Sequence, residues 1–503
     1  MQKTTREQIN LTLMTAASIF RGTLDTAFYK DYILTMFFIK YLSDSYKEFY
    51  DECTFKYNGD ETRIKRALSR AKFIFDKMPV FDYLYEKKND PNIGEIINKE
   101  LDHLAELNKA KLEGIFKNID FNAPAILSNN KNKNYLLISL LDVFDGLDLR
   151  PSILKEPSVV GDAYEDMISK FATDSGKSGD FFTPVMVAEL LSRLVKPEEN
   201  DRIYDPTCGS GSLLIRGFNK VSSGNVQIYG QEKNLQTYSL CKMNMFLHGI
   251  YDAKIANGDT LTNPRHLENG KLMKFQVVAG IIPFSLDNWA VGFLDNYGKY
   301  MDASLDPYGR FEWGVPPLSK GDFAFILHML YSLAEDGRMA VVVPHGVLFR
   351  GANEGKIRQK ILEENLLEAV IGLPENLLFG TGIPVAVLVF KKNRKRQDVI
   401  FIDASGYEHY EKDKYRNKLR EEDLVEIEKV YDKYETIDKF SYVATFDEIK
   451  ENDYNLNIPR YVDTFNEETS SDLTQIANNI TKIKTKINSV EEEIFKYLEE
   501  LKL

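Results

Sequence analysis

The chain has 503 residues, of which 43% are apolar and 28% charged, enough for roughly two to four domains and a core that needs no staple. Three cysteines (Cys53, Cys208 and Cys241) without a C-x-x-C pair exclude a zinc ribbon or a disulfide scaffold. The opening MQKTTREQIN has no apolar segment of the signal-peptide kind, and no apolar run nears the ~18 residues of a membrane span, so a soluble, cytoplasmic protein without membrane association is expected. A net charge of −12 argues against unaided wrapping of nucleic acid and leaves such a role to a local basic face or a basic partner.

Residues 1–150 read as a helical domain. An apolar face runs through 31–42 (DYILTMFFIKYL), spaced Leu, Ala and Ile recur over 101–116, and polar breaks fall at 87–93 and 128–133. Nothing chemical stands out there, which suits docking or scaffolding.

From 155 to 410 short apolar strands alternate with helices. Strands are expected at 202–204, 227–229, 275–278, 338–343, 367–371, 386–390 and 400–402, with helices such as 186–195 and 323–333 between them. This alternation predicts an α/β domain with a largely parallel sheet, whose ligands sit beyond the carboxyl ends of its strands.

The loops there carry the chemistry. Gly179-Asp180-Phe181-Phe182-Thr183-Pro184 leads into the helix at 186, with Thr183 as its expected N-cap and an aromatic pair to close over a ligand. The neighbouring Gly176-Lys177-Ser178 imitates a P-loop end, but Phe171 stands where that motif needs glycine. Asp205-Pro206-Thr207-Cys208-Gly209-Ser210-Gly211-Ser212 leaves a strand and enters a helix. Its small residues admit a ligand close to the backbone, and Asp205 at the strand tip suits an ammonium and repels phosphate. Glu232, ending the next strand, is placed to accept from two ribose hydroxyls, and Asp259 in Asn257-Gly258-Asp259-Thr260 from an adenine amine. Three strand-tip acids describe a nucleoside ligand bearing a positive or amine group.

The basic run 391–396 (KKNRKR) reads as a strand end or hairpin turn, or as a phosphate contact. Residues 411–469 form a connecting region. In 470–503, Leu473, Ile476, Ile480, Ile483, Ile487, Val490 and Ile494 alternate spacings of three and four, a heptad seam that folds back on its own domain or, as favoured here, packs on helices of another chain.

Together these segments resemble the modification (M) subunits of type I restriction–modification systems, which are S-adenosylmethionine-dependent DNA adenine N6-methyltransferases. The resemblance runs through 16–22 (AASIFRG), 29–34 (YKDYIL), GDFFTP at 179–184, DPTCGSGSLL at 205–214, 242–250 (KMNMFLHGI), 257–261, 372–383 (GLPENLLFGTGI), and 452–458 (NDYNLNI) with Arg460-Tyr461. It implies a Rossmann-like methyltransferase sheet flanked by an N-terminal helical domain and a C-terminal helical tail. It also implies a specificity (S) subunit, a second M subunit and a restriction (R) subunit as partners, with double-stranded DNA as substrate. The cofactor would meet Asp180, Phe181, Phe182, Thr183 and Pro184 on one side and Asp205, Thr207, Gly209, Ser210, Gly211 and Ser212 on the other, with Glu232 on its ribose and Asp259 on its adenine.

The chain departs from the family in one loop. Where the family has Asn-Pro-Pro-Phe, this sequence has Ile281-Ile282-Pro283-Phe284. The adenine amine is a poor nucleophile, and the family's Asn oxygen, with the backbone carbonyl of the next residue, accepts its hydrogens while an aromatic stacks the flipped base. Ile281 offers no acceptor, so a methyltransferase scaffold with a disabled catalytic loop is expected. Because the other motifs are intact, a recent or deliberate change is favoured over long decay. A non-catalytic cofactor-binding assembly subunit is the competing reading. A third reading, a stand-alone methyltransferase with its own target recognition, is weakened by the short stretch between the catalytic core and the tail, which has no room for a large recognition domain, and by the acidic charge.

Overall fold

The computed structural model describes residues 3–76, 78–123, 130–174, 182–293, 302, 306–414, 416–464 and 473–500. Residues 1–462 form one compact unit and 463–503 a second.

The N-terminal third is helical, as its apolar stripes predict: α1 (Arg6–Phe20), α2 (Thr26–Lys56), α3 (Glu61–Leu68), α4 (Val80–Glu86), α5 (Ile93–Leu107), α6 (Lys109–Leu112) and α7 (Asn130–Asp145). Local signals fix the helix starts. The Thr5 side chain and Gln8 form a reciprocal capping box on α1, and Asp25 accepts from the Ala27 amide to cap α2. Ile33, Leu34, Phe37 and Phe38 of α2 are fully buried at helical spacing. Their apolar cluster continues into α8 (Val159–Asp174) and reaches Leu240, Met243, Phe246 and Leu247, so the helical region packs directly on the α/β region.

The α/β region then runs α9 (Val185–Val195), β1 (Arg202–Asp205), α10 (Ser212–Asn219), β2 (Gln227–Glu232), α11 (Leu235–Leu247) and β3 (Lys254–Asn257). A small hairpin, β4 (Leu267–Glu268) and β5 (Lys271–Leu272), precedes β6 (Phe275–Ile281), α12 (Asp322–Tyr331), β7 (Leu333–Pro344), α13 (Gly346–Phe349) and α14 (Ala352–Glu363). It ends with β8 (Leu367–Leu373), β9 (Val385–Lys391) and β10 (Val399–Asp403). The segment read as a connector adds a hairpin, β11 (Glu411–Lys412) with β12 (Asn417–Lys418), then α15 (Glu421–Lys433), β13 (Ser441–Ala444) and α16 (Phe446–Glu451). Its strand β13 pairs antiparallel with β10, so part of that segment belongs to the sheet.

The nine-stranded sheet has the order β13-β10-β8-β9-β7-β6-β1-β2-β3. Its pairings are parallel except those of β9 with both neighbours and of β13, so the expected largely parallel sheet is mixed on one side. Strand β9 and the 339–343 part of β7 are continuous apolar runs because helices cover both faces. Alternate residues feed two cores: Tyr204, Val278, Val341 and Leu388 face one, Ile203, Val277, Val342 and Val387 the other. From β1 the chain builds outward through β2 and β3, then returns to lay β6 on the opposite side of β1. The order reverses between β1 and β6, and the crevice at their carboxyl ends is where such a sheet holds a ligand.

The basic run 391–396 forms the turn after β9. Its Arg394 side chain is buried and bonds Asn365 Oδ1 at 3.0 Å and the carbonyls of Leu367 and Asp398, which gives it a structural role. In the second unit, α17 (Leu473–Glu500) carries the heptad stripe, with Ile480, Ile483, Ile487, Val490, Ile494 and Leu498 exposed.

Candidate active site

The loop after β1 is held in shape by its own sequence. Asp205 Oδ1 accepts from the Thr207 amide at 2.9 Å, and the Cys208 amide donates to the Gln231 carbonyl at 3.1 Å, tying the loop to β2. Gly209 has φ +53° and its amide donates to Glu232 Oε2 at 3.1 Å. Gly211 has φ +86°, and a Cβ there would stand 2.4 Å from Met245 Cε and 2.8 Å from Cys241 Sγ, so only glycine turns the chain into α10 this close to α11. The Asn244 side-chain amide of α11 donates to the Ser210 carbonyl at 2.9 Å, and the Ser210 and Ser212 hydroxyls are 3.2 Å apart.

Asp205 is 3% exposed. Burial pushes its carboxyl up to about 7, the nearby Glu232 charge adds to this, and the Thr207 bonds oppose it. A carboxyl so placed gains most from a cation brought beside it.

The tip of β6 meets this loop. The Thr207 hydroxyl donates to the Ile281 carbonyl at 3.0 Å, and a Cβ on Gly280 would stand 3.0 Å from Asp205 Oδ1. The Ile281 side chain is half-buried at the strand end, Ile282 is buried in the core, Pro283 is exposed, and Phe284 is half-buried between the two cores. Ser285 follows with φ +50°, its amide donating to Asp322 Oδ1 at 2.7 Å.

Asp259 joins from the loop after β3. Burial disfavours its charge, but the Lys233 ammonium at 2.9 Å and the Thr262 and Leu261 amides outweigh that and hold it below the usual carboxylate range. Thr260 Oγ1 donates to the Pro206 carbonyl at 2.5 Å, so this loop is bolted to the one after β1. Lys233, exposed and adjacent to Glu232, escaped the sequence reading because its pairing arises only when β2 and β3 lie side by side.

Phe182, just before α9, is buried and packs edge-on against Phe379 at 5.5 Å, with the Arg416 guanidinium 3.2 Å from the Phe379 ring centre. Phe379 and Arg416 were not singled out from sequence, although Phe379 lies inside the GLPENLLFGTGI segment. Thr183 is not the N-cap of α9. Pro184 occupies that position with φ −55° and no side-chain cap bond, because proline supplies a helix-ready φ one residue later than a threonine cap would. Asp180, Phe181 and the Gly176-Lys177-Ser178 sequence lie outside the described residues. Hydrogen bonds thus join the loop after β1, Glu232, the Asp259 loop and the β6 tip at the switch point of the sheet.

Comparison with known proteins decides the family. The N-6 DNA Methylase family pattern matches residues 155–470, and that of the HsdM N-terminal domain matches 9–144. The chain belongs to the methylase subunits of type I restriction–modification systems. It is 31% identical to the type I restriction enzyme MpnII methylase subunit of Mycoplasma pneumoniae, over 96% of this chain and 94% of that one. It is 30% identical to the MjaVIII methylase subunit of Methanocaldococcus jannaschii, over 100% of this chain and 86% of that one. Among solved structures, the methyltransferase subunit from Streptococcus thermophilus matches at TM-score 0.79 and 35% identity, covering 92% of this chain and 100% of that one. The family and fold of this methylase subunit imply use of S-adenosylmethionine. The chemistry of the crevice fits a cationic nucleoside cofactor: a buried carboxyl at Asp205, a turn at Gly211 with no room for a side chain, and two further acids, Glu232 at the end of β2 and Asp259 in the loop after β3. Among the described residues no helix is long and apolar enough to cross a membrane.

Proposed function

We propose that this chain is the modification subunit whose reaction is methyl transfer from S-adenosylmethionine to N6 of adenine in double-stranded DNA, and that Ile281 and Ile282 impair that step. One observation carries the site assignment: Thr207 hydrogen-bonds both Asp205 and the Ile281 carbonyl, so the cofactor loop and the catalytic-motif position share one crevice.

When bound, S-adenosylmethionine supplies a methyl group on a positively charged sulfur. Asp205 would hold the amino group of its methionine part, with Gly209, Ser210 and Gly211 presenting backbone. Glu232 would accept from the ribose hydroxyls; a carboxylate offers about four acceptor positions, compatible with its bonds from Gly209 and Asn234. Asp259 would accept from the adenine amine, and Phe182 and Thr183 would close the opposite wall. The base-side residues are then Ile281 to Phe284. Phe284 retains a face for stacking a flipped adenine. Ile281 places a branched hydrocarbon where the amine needs an acceptor. An unpaired buried amine costs about 1–3 kcal/mol, and losing a preorganised partner of the transition state typically costs 10²–10³-fold in rate.

DNA contact in this reading depends on partners: a specificity subunit that carries the target sequence, a second M subunit, and a restriction subunit for cleavage. The net charge of −12 agrees with that division of labour. Ile281 also favours a second reading, a cofactor-binding assembly subunit that does not methylate. One experiment separates them. The chain is assembled with its specificity subunit and transfer of tritiated methyl groups to target DNA is followed. Under the first reading the chain as it stands is inert and Ile281→Asn with Ile282→Pro restores transfer, whereas Ile282→Pro alone does not. Inertness of the double variant, with cofactor and DNA still bound, supports the assembly role. Robust transfer by the unaltered chain overturns the assignment of position 281.

A further inference from the structure

We propose that Asp162, Glu165 and His248 form a structural site for one divalent transition-metal ion of the zinc type, bracing the cofactor loop from behind. Asp162 and Glu165 stand three residues apart on one face of α8, and His248 follows the last turn of α11. Their candidate ligand atoms all lie within 4.8 Å of one another, with His248 Nε2 3.9 Å from Asp162 Oδ1 and 3.8 Å from Glu165 Oε2.

Two of these groups are deeply buried and short of partners. The side chains of Glu165 and His248 are 3% and 4% exposed, and Glu165 Oε1 and His248 Nε2 have no hydrogen-bond partner among the described residues. Such atoms are expensive to bury unsatisfied. The histidine is already set as a ligand. Its Nδ1 lies 3.0 Å from the Asn244 carbonyl, which can only accept, so Nδ1 carries a proton and Nε2 is the ring atom left to face the two carboxylates. The ring lies flat on Gly161, where a Cβ would stand 2.7 Å from three of its atoms, so only glycine leaves room for it.

One nitrogen and two carboxylates suit Zn²⁺ and neighbouring ions. Tetrahedral zinc spaces its ligand atoms about 3.4 Å apart, so the two His248 pairs close by about half an ångström and the carboxylate pair, within 4.8 Å, by no more than about 1.4 Å. Arg216 of α10 bonds Glu165 Oε2, the oxygen that lies 3.8 Å from His248 Nε2, and neutralises one charge, so the metal would be bound through the unpartnered Oε1 of the same carboxylate. Asp162 is 25% exposed and gives access for the ion and a water ligand. The site connects to the cofactor loop twice. Asn244, which orients His248, also donates to the Ser210 carbonyl at 2.9 Å, and Arg216 holds the helix that the loop begins.

The test uses the tag-free full-length chain, stripped with chelator and desalted, then titrated with Zn²⁺ and Co²⁺. One equivalent should bind per chain, Co²⁺ should give visible d–d absorption, and the melting temperature should rise with free metal concentration. His248→Gln should weaken binding at least 100-fold. Asp162→Asn, at a part-exposed position that tolerates change, should weaken it at least 10-fold with the circular dichroism spectrum unchanged. Trace binding only, or binding that both variants leave intact, overturns the proposal. So does a melting temperature that rises on acidification but ignores metal, which would mean that the cluster holds a proton instead.

Discussion

Asp205 shows how much of the site depends on a single residue's surroundings. Its carboxyl, buried and facing Glu232, sits near 7 in the free protein against about 3.9 in an unfolded chain. A raised acid contributes stability that is fully present below the unfolded value and is lost as pH rises through the folded one. The free chain should therefore weaken between about pH 4 and pH 7, by an amount on the order of 4 kcal/mol. An ammonium bound beside Asp205 reverses the sign by favouring the charged form. Affinity for S-adenosylmethionine should rise by up to tenfold per unit as pH climbs toward 7 and then level off, and calorimetry across pH 5.5–8.5 checks this. Asp205→Asn should flatten the profile and lower the plateau. A flat profile in the unaltered chain would place the ammonium elsewhere. The residue type and its strand-tip position were legible in the sequence. The bond from Thr207 to the Ile281 carbonyl and the Lys233–Asp259 pair were not, because each joins loops far apart in the chain.

Among the elements, strands that are continuous Val, Ile and Leu runs announce themselves, and edge strands do not. All seven expected strands are present, whereas β13 (SYVA) is short, lies at the sheet edge and is broken from Phe440 by Ser441, leaving no long apolar run to read. Strand β7 begins at Leu333, five residues before the expected Arg338, because Leu333 pairs with Phe275 across a register shift that no local pattern encodes. The same contrast applies to α17. Its stripe was legible as a heptad seam, and Ile483, Ile487 and Val490 remain half or more exposed. Aliphatic side chains at this spacing are suited to burial against other helices, and we expect those of the specificity subunit to supply it. A chain ending at Asp472 should keep the melting temperature of the 1–462 unit and fail to co-purify with the specificity subunit. An intact complex on size exclusion would refute this role for the seam.

Across the whole molecule, the crevice is kept in shape by a buried polar chain that no motif marks. Arg310 is 1% exposed and donates to both oxygens of Asp306 at 2.9 and 2.7 Å, to the Leu261 carbonyl at 2.7 Å and to the Thr260 carbonyl at 3.4 Å. Its Nη1 also lies 3.1 Å from His328 Nδ1, and His328 Nε2 lies 3.1 Å from the Tyr204 hydroxyl. Burial, followed by the Arg310 charge, drives His328 well below the usual imidazole range, so the ring is neutral: it accepts from Arg310 and donates to Tyr204. One guanidinium thus links the loop carrying Asp259, the segment beyond the catalytic motif, α12 and β1. Breaking a buried ion pair from one side leaves an uncompensated charge, which costs about 3–5 kcal/mol, whereas replacing both partners with apolar groups is often nearly neutral. Arg310→Met should therefore lower the urea midpoint strongly and weaken S-adenosylmethionine binding, because the Thr260 and Leu261 carbonyls lose their anchor. Adding Asp306→Leu should recover most of the stability, since no buried charge remains, while binding stays weak because the anchor is still missing. Equal losses in the single and double variants would show that the pair itself, rather than the stranded carboxylate, sets the stability.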